Sequence, residues 1–274
     1  MAIRFKRPPR GAADQPSRDP SGMTLVEHLT ELRNRVVKSL IALVIGGALG
    51  FTLYSPVLDR LVEPYCDQKA EQAERREAAD VADAPTLDTG CQLVVTDPLE
   101  SFSIRLKVSA YLGLIFASPV VLWQLWRFIT PGLYDNEKRY AIPFVLSSVL
   151  LFLLGAALAL WTFPRTLEFL AAFGGDNLTT LYTPGKYLGL LIFMMLAFGI
   201  GFEFPVVLTF LQLARVLHWR QLVSFARYAV VLVFVVNAII TPSGDPITLL
   251  AMSVPMCLFY AASILIGRFV FRRP

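Results

Sequence analysis

The sequence predicts an all-α integral membrane protein: a bundle of six bent transmembrane helices with both termini in the cytoplasm. Three observations carry this. Of 274 residues, 55% are apolar and only 17% charged, whereas a soluble domain carries about a quarter charged residues. The apolar residues gather into six long runs. Lys and Arg then fall unevenly on the two sides of those runs. A mean hydropathy of +0.57 and 20 Phe weigh against a water-soluble fold. The same composition excludes disordered, collagen-like and disulfide-scaffold classes.

A span needs ~20 mostly apolar residues to cross ~30 Å of hydrocarbon. The runs are 40–58, 108–126, 141–163, 187–213, 228–241 and 247–267. None alternates as a barrel strand does. The first starts after a long polar arm and lacks a small-residue cleavage site, so it reads as a span rather than a secretory signal. The fifth is short: residues 228–240 give ~20 Å of helix. The turn signal Thr241-Pro242-Ser243-Gly244-Asp245-Pro246 follows at once. The last two helices are therefore expected as a hairpin whose tip sits below the membrane surface. Pro56, Pro119, Pro143, Pro205 and Pro255 lie in or beside the runs. Each removes a backbone hydrogen bond, so bent helices are expected. No internal repeat is expected, and no Gly-x-x-x-Gly motif within an apolar run.

With six spans both termini share a side. Placing them inside puts 17 Lys and Arg there and 8 on the other side, which makes that side the cytoplasm. The acids divide the other way, 6 inside and 14 outside, with Glu203 in a span. The net charge of +4 is therefore a topology signal and implies no nucleic-acid partner. Residues 1–22 form a basic, Pro-containing arm expected to be disordered and to touch anionic lipid. Residues 23–274 form the membrane domain. Cys66 and Cys91 fall in the first outer loop, where 67–90 carries seven acids against three bases and 68–82 reads as a short charged helix. A Cys66–Cys91 disulfide would pin the base of this 66–91 excursion, contributing ~3–4 kcal/mol in the chain-entropy model. The alternative is two free thiols. Cys257, in the sixth run, is a packing residue.

Little supports catalysis. His28 and His218 lie far apart, no Cys/His metal spacing exists, and no nucleophile elbow, phosphate loop or dinucleotide fingerprint occurs. No enzyme, catalytic residue, metal or cofactor is expected. The informative groups are carboxylates. Residues 24–38 carry Leu25, Leu29, Leu32 and Val36 as one helical stripe, expected as an interfacial helix on the inner leaflet. Glu27 and Glu31 lie on its polar side with Arg33 and Arg35 nearby. They form either a solvated face with a Glu31–Arg35 pair worth a few tenths of a kcal/mol or part of an acidic site. Asp135 and Glu137 follow the Pro131-Gly132 turn. They either cap the next helix and offset its dipole or form a pocket for a cationic ligand. Glu203 lies inside an apolar run and is a functional candidate by default; the alternative is a neutral carboxyl bonded to backbone freed by Pro205. A competing function is a proton-coupled small-solute transporter using Glu203. That function would expect repeats or broken helices paired across two halves, which are not visible, and it leaves the acids near Glu31 and Glu137 unexplained.

These residues resemble the TatC family. Glu27-His28-Leu29-x-Glu31-Leu32-Arg33-x-Arg35 is similar to its start. Then follow Ala117-Ser118-Pro119-Val120, Phe128-Ile129-x-Pro131-x-Leu133-Tyr134-x-x-Glu137-x-Arg139, Phe198-Gly199-x-x-Phe202-Glu203-x-Pro205-Val206 and Thr241-Pro242. The resemblance runs from about residue 24 to 269. It implies a glove-shaped bundle in the bacterial cytoplasmic membrane that binds twin-arginine signal peptides of folded cargo. It also implies partners: single-span TatA- and TatB-like subunits, other TatC copies and membrane lipid, with export driven by the proton-motive force. It implies that Glu31 and Glu137 receive the two arginines, since charge-assisted guanidinium–carboxylate pairs are about twice as strong as neutral ones. Arg33, Phe128, Arg139 and Pro119 match positions that shape this surface. Glu203 would face the concave side. Thr241 and Thr248 match polar positions on the partner-docking helices, and Pro64 matches an outer-loop position. The long 66–91 excursion, the arm 1–22, the turn Ser243-Gly244-Asp245-Pro246 and the non-acidic Tyr260 depart from the family pattern.

Overall fold

A computed structural model of the chain describes residues 25–78, 93, 95–129, 141–173, 182–241 and 244–269. These residues form eight helices: α1 (Leu25–Thr52), α2 (Tyr54–Ala78), α3 (Glu100–Ile129), α4 (Ala141–Phe173), α5 (Pro184–Gly201), α6 (Phe204–Leu213), α7 (Trp219–Ile240) and α8 (Pro246–Phe269). No strand occurs among them. Six segments are long and apolar enough to cross a membrane: Leu29–Thr52, Glu100–Phe128, Ile142–Phe173, Pro184–Leu213, Trp219–Ile240 and Pro246–Phe269. The all-helical, six-span architecture is therefore present, with several boundaries moved.

The first run is divided. α1 ends at Thr52, a turn falls at Leu53, and α2 begins at Tyr54 and runs on through Pro64 and Cys66. Pro56 accounts for the break, because it has no N–H for the Thr52 carbonyl. Of the charged helix expected at 68–82, residues 68–78 form the tail of α2, and the rest lies outside the described residues. The amphipathic stretch expected on the leaflet is instead continuous with the first span, in one helix of 28 residues, about 42 Å long. The fourth run is broken at Phe202-Glu203, where Pro205 cannot donate to Gly201.

The fifth helix is not short. It has 22 residues, about 33 Å. His218 starts it: its Nδ1 accepts from Arg220 N at 3.2 Å, and Gln221 Oε1 accepts from His218 N at 2.9 Å. This reciprocal cap carries the helix through Arg220 and Arg227, the residues that hide its first two turns from a hydropathy reading.

The core lies where α4, α5 and α8 meet α3. Phe163, Leu191, Met194, Phe198 and Met252 are fully buried. Tyr187 meets Phe163 and Tyr65 edge-on, with ring centroids 5.1 and 5.8 Å apart. A Cβ at Gly155 would lie 2.5 Å from the Phe198 carbonyl oxygen, so only glycine lets α4 approach α5 this closely. α1 packs along α3 by the same device. A Cβ at Gly46 would lie 2.6 Å from Gly113 O, and one at Gly113 would lie 2.6 Å from Gly47 N. Gly46-Gly47-Ala48-Leu49-Gly50 is a Gly-x-x-x-Gly segment within the first apolar run, which corrects the expectation that no such motif is present.

Candidate functional site

Glycine packing of α1 on α3 sets the first turns of α1 beside the last turns of α3. Between them opens a cleft of about 450 Å³ lined by Thr30, Glu31, Asn34, Arg35, Lys38, Gln124 and Arg127. The helical repeat explains the lining. Glu31, Asn34, Arg35 and Lys38 are spaced three, one and three apart, and Gln124 and Arg127 three apart, so each set shares a face. Arg35 donates to Glu31 Oε1 from Nε at 3.2 Å and, more closely, from a terminal guanidinium nitrogen. Both bonds go to one oxygen. No hydrogen bond to Oε2 occurs among the described residues. Among the described residues the lining thus carries three cations and one carboxylate, and Arg35 holds one oxygen of that carboxylate.

The expected surface is only partly gathered. Arg33 is exposed and does not line the cleft. Phe128 is half-buried at the end of α3, and Pro119 is exposed within it. Ser118 Oγ donates to the Ile115 carbonyl at 2.8 Å, the acceptor that Pro119 leaves without an N–H. Glu137 and Arg139 lie outside the described residues. Lys38, Asn34, Gln124 and Arg127 were not picked out from sequence. The three-residue spacing of Gln124 and Arg127 is visible there, but their position beside α1 is not.

Glu203 stands at the α5–α6 break as the residue before α6, with no side-chain cap bond. It is half-buried, and its Oε1 is buried with no hydrogen-bond partner among the described residues. Ser148 of α4 lies beside the carboxyl. The Ser148 hydroxyl accepts from Trp126 Nε1 at 3.1 Å, which leaves its own proton free to point toward Glu203. A polar chain therefore links α3, α4 and the α5–α6 break inside an apolar bundle.

The remaining candidates lie at the opposite end of the bundle. Thr241 is buried and its Oγ1 donates to Asn237 O at 2.7 Å. Thr248 is fully buried, its Oγ1 2.5 Å from that of Thr166, and its N–H donates to Asp245 Oδ1 at 2.6 Å. Both threonines thus bond within the chain and shape the α7–α8 hairpin. Pro64 lies inside α2. Cys66 is disulfide-bonded, whereas Cys257 is a free thiol. Cys91 lies outside the described residues.

Known proteins complete the picture. The family model for TatC, Sec-independent protein translocase protein, matches residues 27–255. A Sec-independent protein translocase protein TatC of Aquifex aeolicus is 39% identical over 254 residues, covering 92% of this chain and 97% of its own. One from Frankia casuarinae is 40% identical over 247 residues, covering 90% of this chain and 66% of its own. A crystal structure of the twin arginine translocase receptor TatC superposes with a TM-score of 0.67 at 38% identity, covering 88% of this chain and 99% of that one. The protein is thus a multi-pass bacterial membrane protein of a transport system rather than a classical enzyme, and it belongs to the TatC family of Sec-independent protein translocase proteins.

Proposed function

We propose that this chain is the signal-peptide receptor of a twin-arginine translocase. It takes the arginine pair of folded cargo at the Glu31 end of the bundle, which faces the cytoplasm of the cell with both termini. One observation carries the proposal: Glu31 lines an open cleft with one oxygen already holding a guanidinium and the other unbonded among the described residues. A carboxylate that accepts Arg35 in this geometry can accept a guanidinium from outside the chain. Glu137 is the second acceptor, and Arg33, Phe128, Pro119 and Arg139 shape the surface around it. Family membership and the excess of Lys and Arg at this end support the orientation.

In the same proposal, TatA- and TatB-like single-span helices dock along α7 and α8, whose ends Thr241 and Thr248 hold from within. Glu203 meets a polar group of a partner helix, other copies of the chain complete the complex, and the proton-motive force drives export. Cys66 pairs with Cys91, the other cysteine of the outer excursion, and Pro64 sets the path of α2 toward it. A solute transporter built on Glu203 is not favoured, because the family is one of protein translocase proteins.

The test is photocrosslinking from a group beside the arginine pair of a signal peptide, in inverted membranes. Contact near Glu31 and Glu137 should vanish when the pair becomes Lys-Lys, and again with Glu31→Ala/Glu137→Ala. Contact indifferent to both changes would overturn the assignment.

A further inference from the structure

Among the described residues, the cleft between α1 and α3 holds more positive charge than its one carboxylate offsets. One oxygen of Glu31 holds Arg35. Lys38 and Arg127 are exposed and lie on opposite walls, with no ion-pair partner among the described residues. Asn34 and Gln124 add neutral donors to the same lining. One helical turn into the span the surface turns apolar. Ile41 stands three residues after Lys38 and Trp123 four before Arg127, each on its cation's face and each exposed.

We propose that this cleft is a binding site for the headgroup of an anionic phospholipid. The phosphate sits between Lys38 and Arg127, the neutral amides bond its oxygens, and the acyl chains lie on Ile41 and Trp123. A lipid fits better than a free phosphate because the cations and the exposed apolar residues share faces of the same two helices. Two cations on facing walls also hold a phosphate from both sides, which a scattered basic surface does not. The proposal does not rest on the receptor assignment, and its test uses no signal peptide. It does bear on that assignment, since a bound phosphate would offset the charge that a cationic peptide meets here.

The experiment is native mass spectrometry of the detergent-purified full chain with phosphatidylglycerol or phosphatidylcholine. Phosphatidylglycerol should be retained preferentially. Near an anionic lipid surface each cation is worth roughly fivefold, so Lys38→Gln/Arg127→Gln should weaken retention about thirtyfold. The charge-conserving Lys38→Arg/Arg127→Lys should keep it. Lys186→Gln, which removes an exposed cation at the other end of the bundle, should leave it unchanged. Equal retention of the two lipids, or an equal loss with Lys186→Gln, would overturn the site. Displacement of phosphatidylglycerol by equimolar glycerophosphate would show that a soluble phosphate is the ligand, and would overturn the lipid.

Discussion

α1 and the α4–α5–α8 core are both apolar helix packed through glycine, yet they bury very different shares of themselves. Only 11% of the α1 span is buried, against 44% of the span formed by α5 and α6. In the core several polar groups close on one another, although the buried Ser109 and Tyr111 hydroxyls find no partner among the described residues. Thr166 meets Thr248, and the Tyr187 hydroxyl donates to Leu61 O at 3.1 Å. Glu100 of α3 caps the start of α5, its Oε1 accepting from Gly185 N at 2.7 Å. α1 touches chiefly α3, and at its open end charged groups project into a cleft with little to satisfy them. In a bilayer, lipid offers no hydrogen bonds, so each core hydroxyl gains by bonding within the bundle. The charged end of α1 lies beyond its apolar stretch, where charge costs less than inside a span.

That contrast can be tested with one substitution in each region. Gly155→Val drives a side chain into the Phe198 carbonyl within the core and should cost about 3 kcal/mol or more. Thermal unfolding in detergent should show global loss, and a near-normal Tm would mean α4 and α5 are not held by this contact. Gly113→Val meets the Gly47 backbone and should separate α1 from α3 while the core survives. The expected readout is faster proteolysis within α1 with little change in the core transition. Cooperative loss of everything would erase the distinction between the two regions.

Smaller effects sharpen it. Thr248→Val removes a fully buried hydroxyl and should lower stability by roughly 1 kcal/mol, in the range of interhelical bonds within membranes. Trp126→Phe keeps an aromatic side chain but removes both the indole N–H that Ser148 accepts and part of the buried ring volume, and a loss of roughly 1 kcal/mol or more is expected. If denaturant unfolding shows no change for Trp126→Phe, the chain from Trp126 to Glu203 is not structural. Glu31→Gln should move the unfolding midpoint least, by a few tenths of a kcal/mol for an i,i+4 pair, while signal-peptide crosslinking falls sharply. A large stability loss without a binding defect would make Glu31 a structural residue.

Some of this was legible along the chain. Six apolar runs announced six spans, and Pro56 and Pro205 marked where α1 yields to α2 and α5 to α6. The Glu31–Arg35 pair followed from its spacing. The true start of α7 was hidden because Arg220, Gln221 and Arg227 lower the local hydropathy; the His218–Gln221 cap signals it only weakly, His being a rare cap. The segment Gly46–Gly50 was there to be read, but its partner Gly113 lies in a different helix.

The sequence by itself determined the helical class, the number of spans, the helix-breaking prolines and the spacing of Glu31 on its helix, because hydropathy and helical period act over a few turns. Only the tertiary structure decided that Lys38 and Arg127 face each other across a cleft, that Ser148 sits between Trp126 and Glu203, and that Thr248 is buried against Thr166. Each of these depends on which helix lies beside which. That choice is made by close packing of glycine surfaces, a property of pairs of helices that no single segment carries.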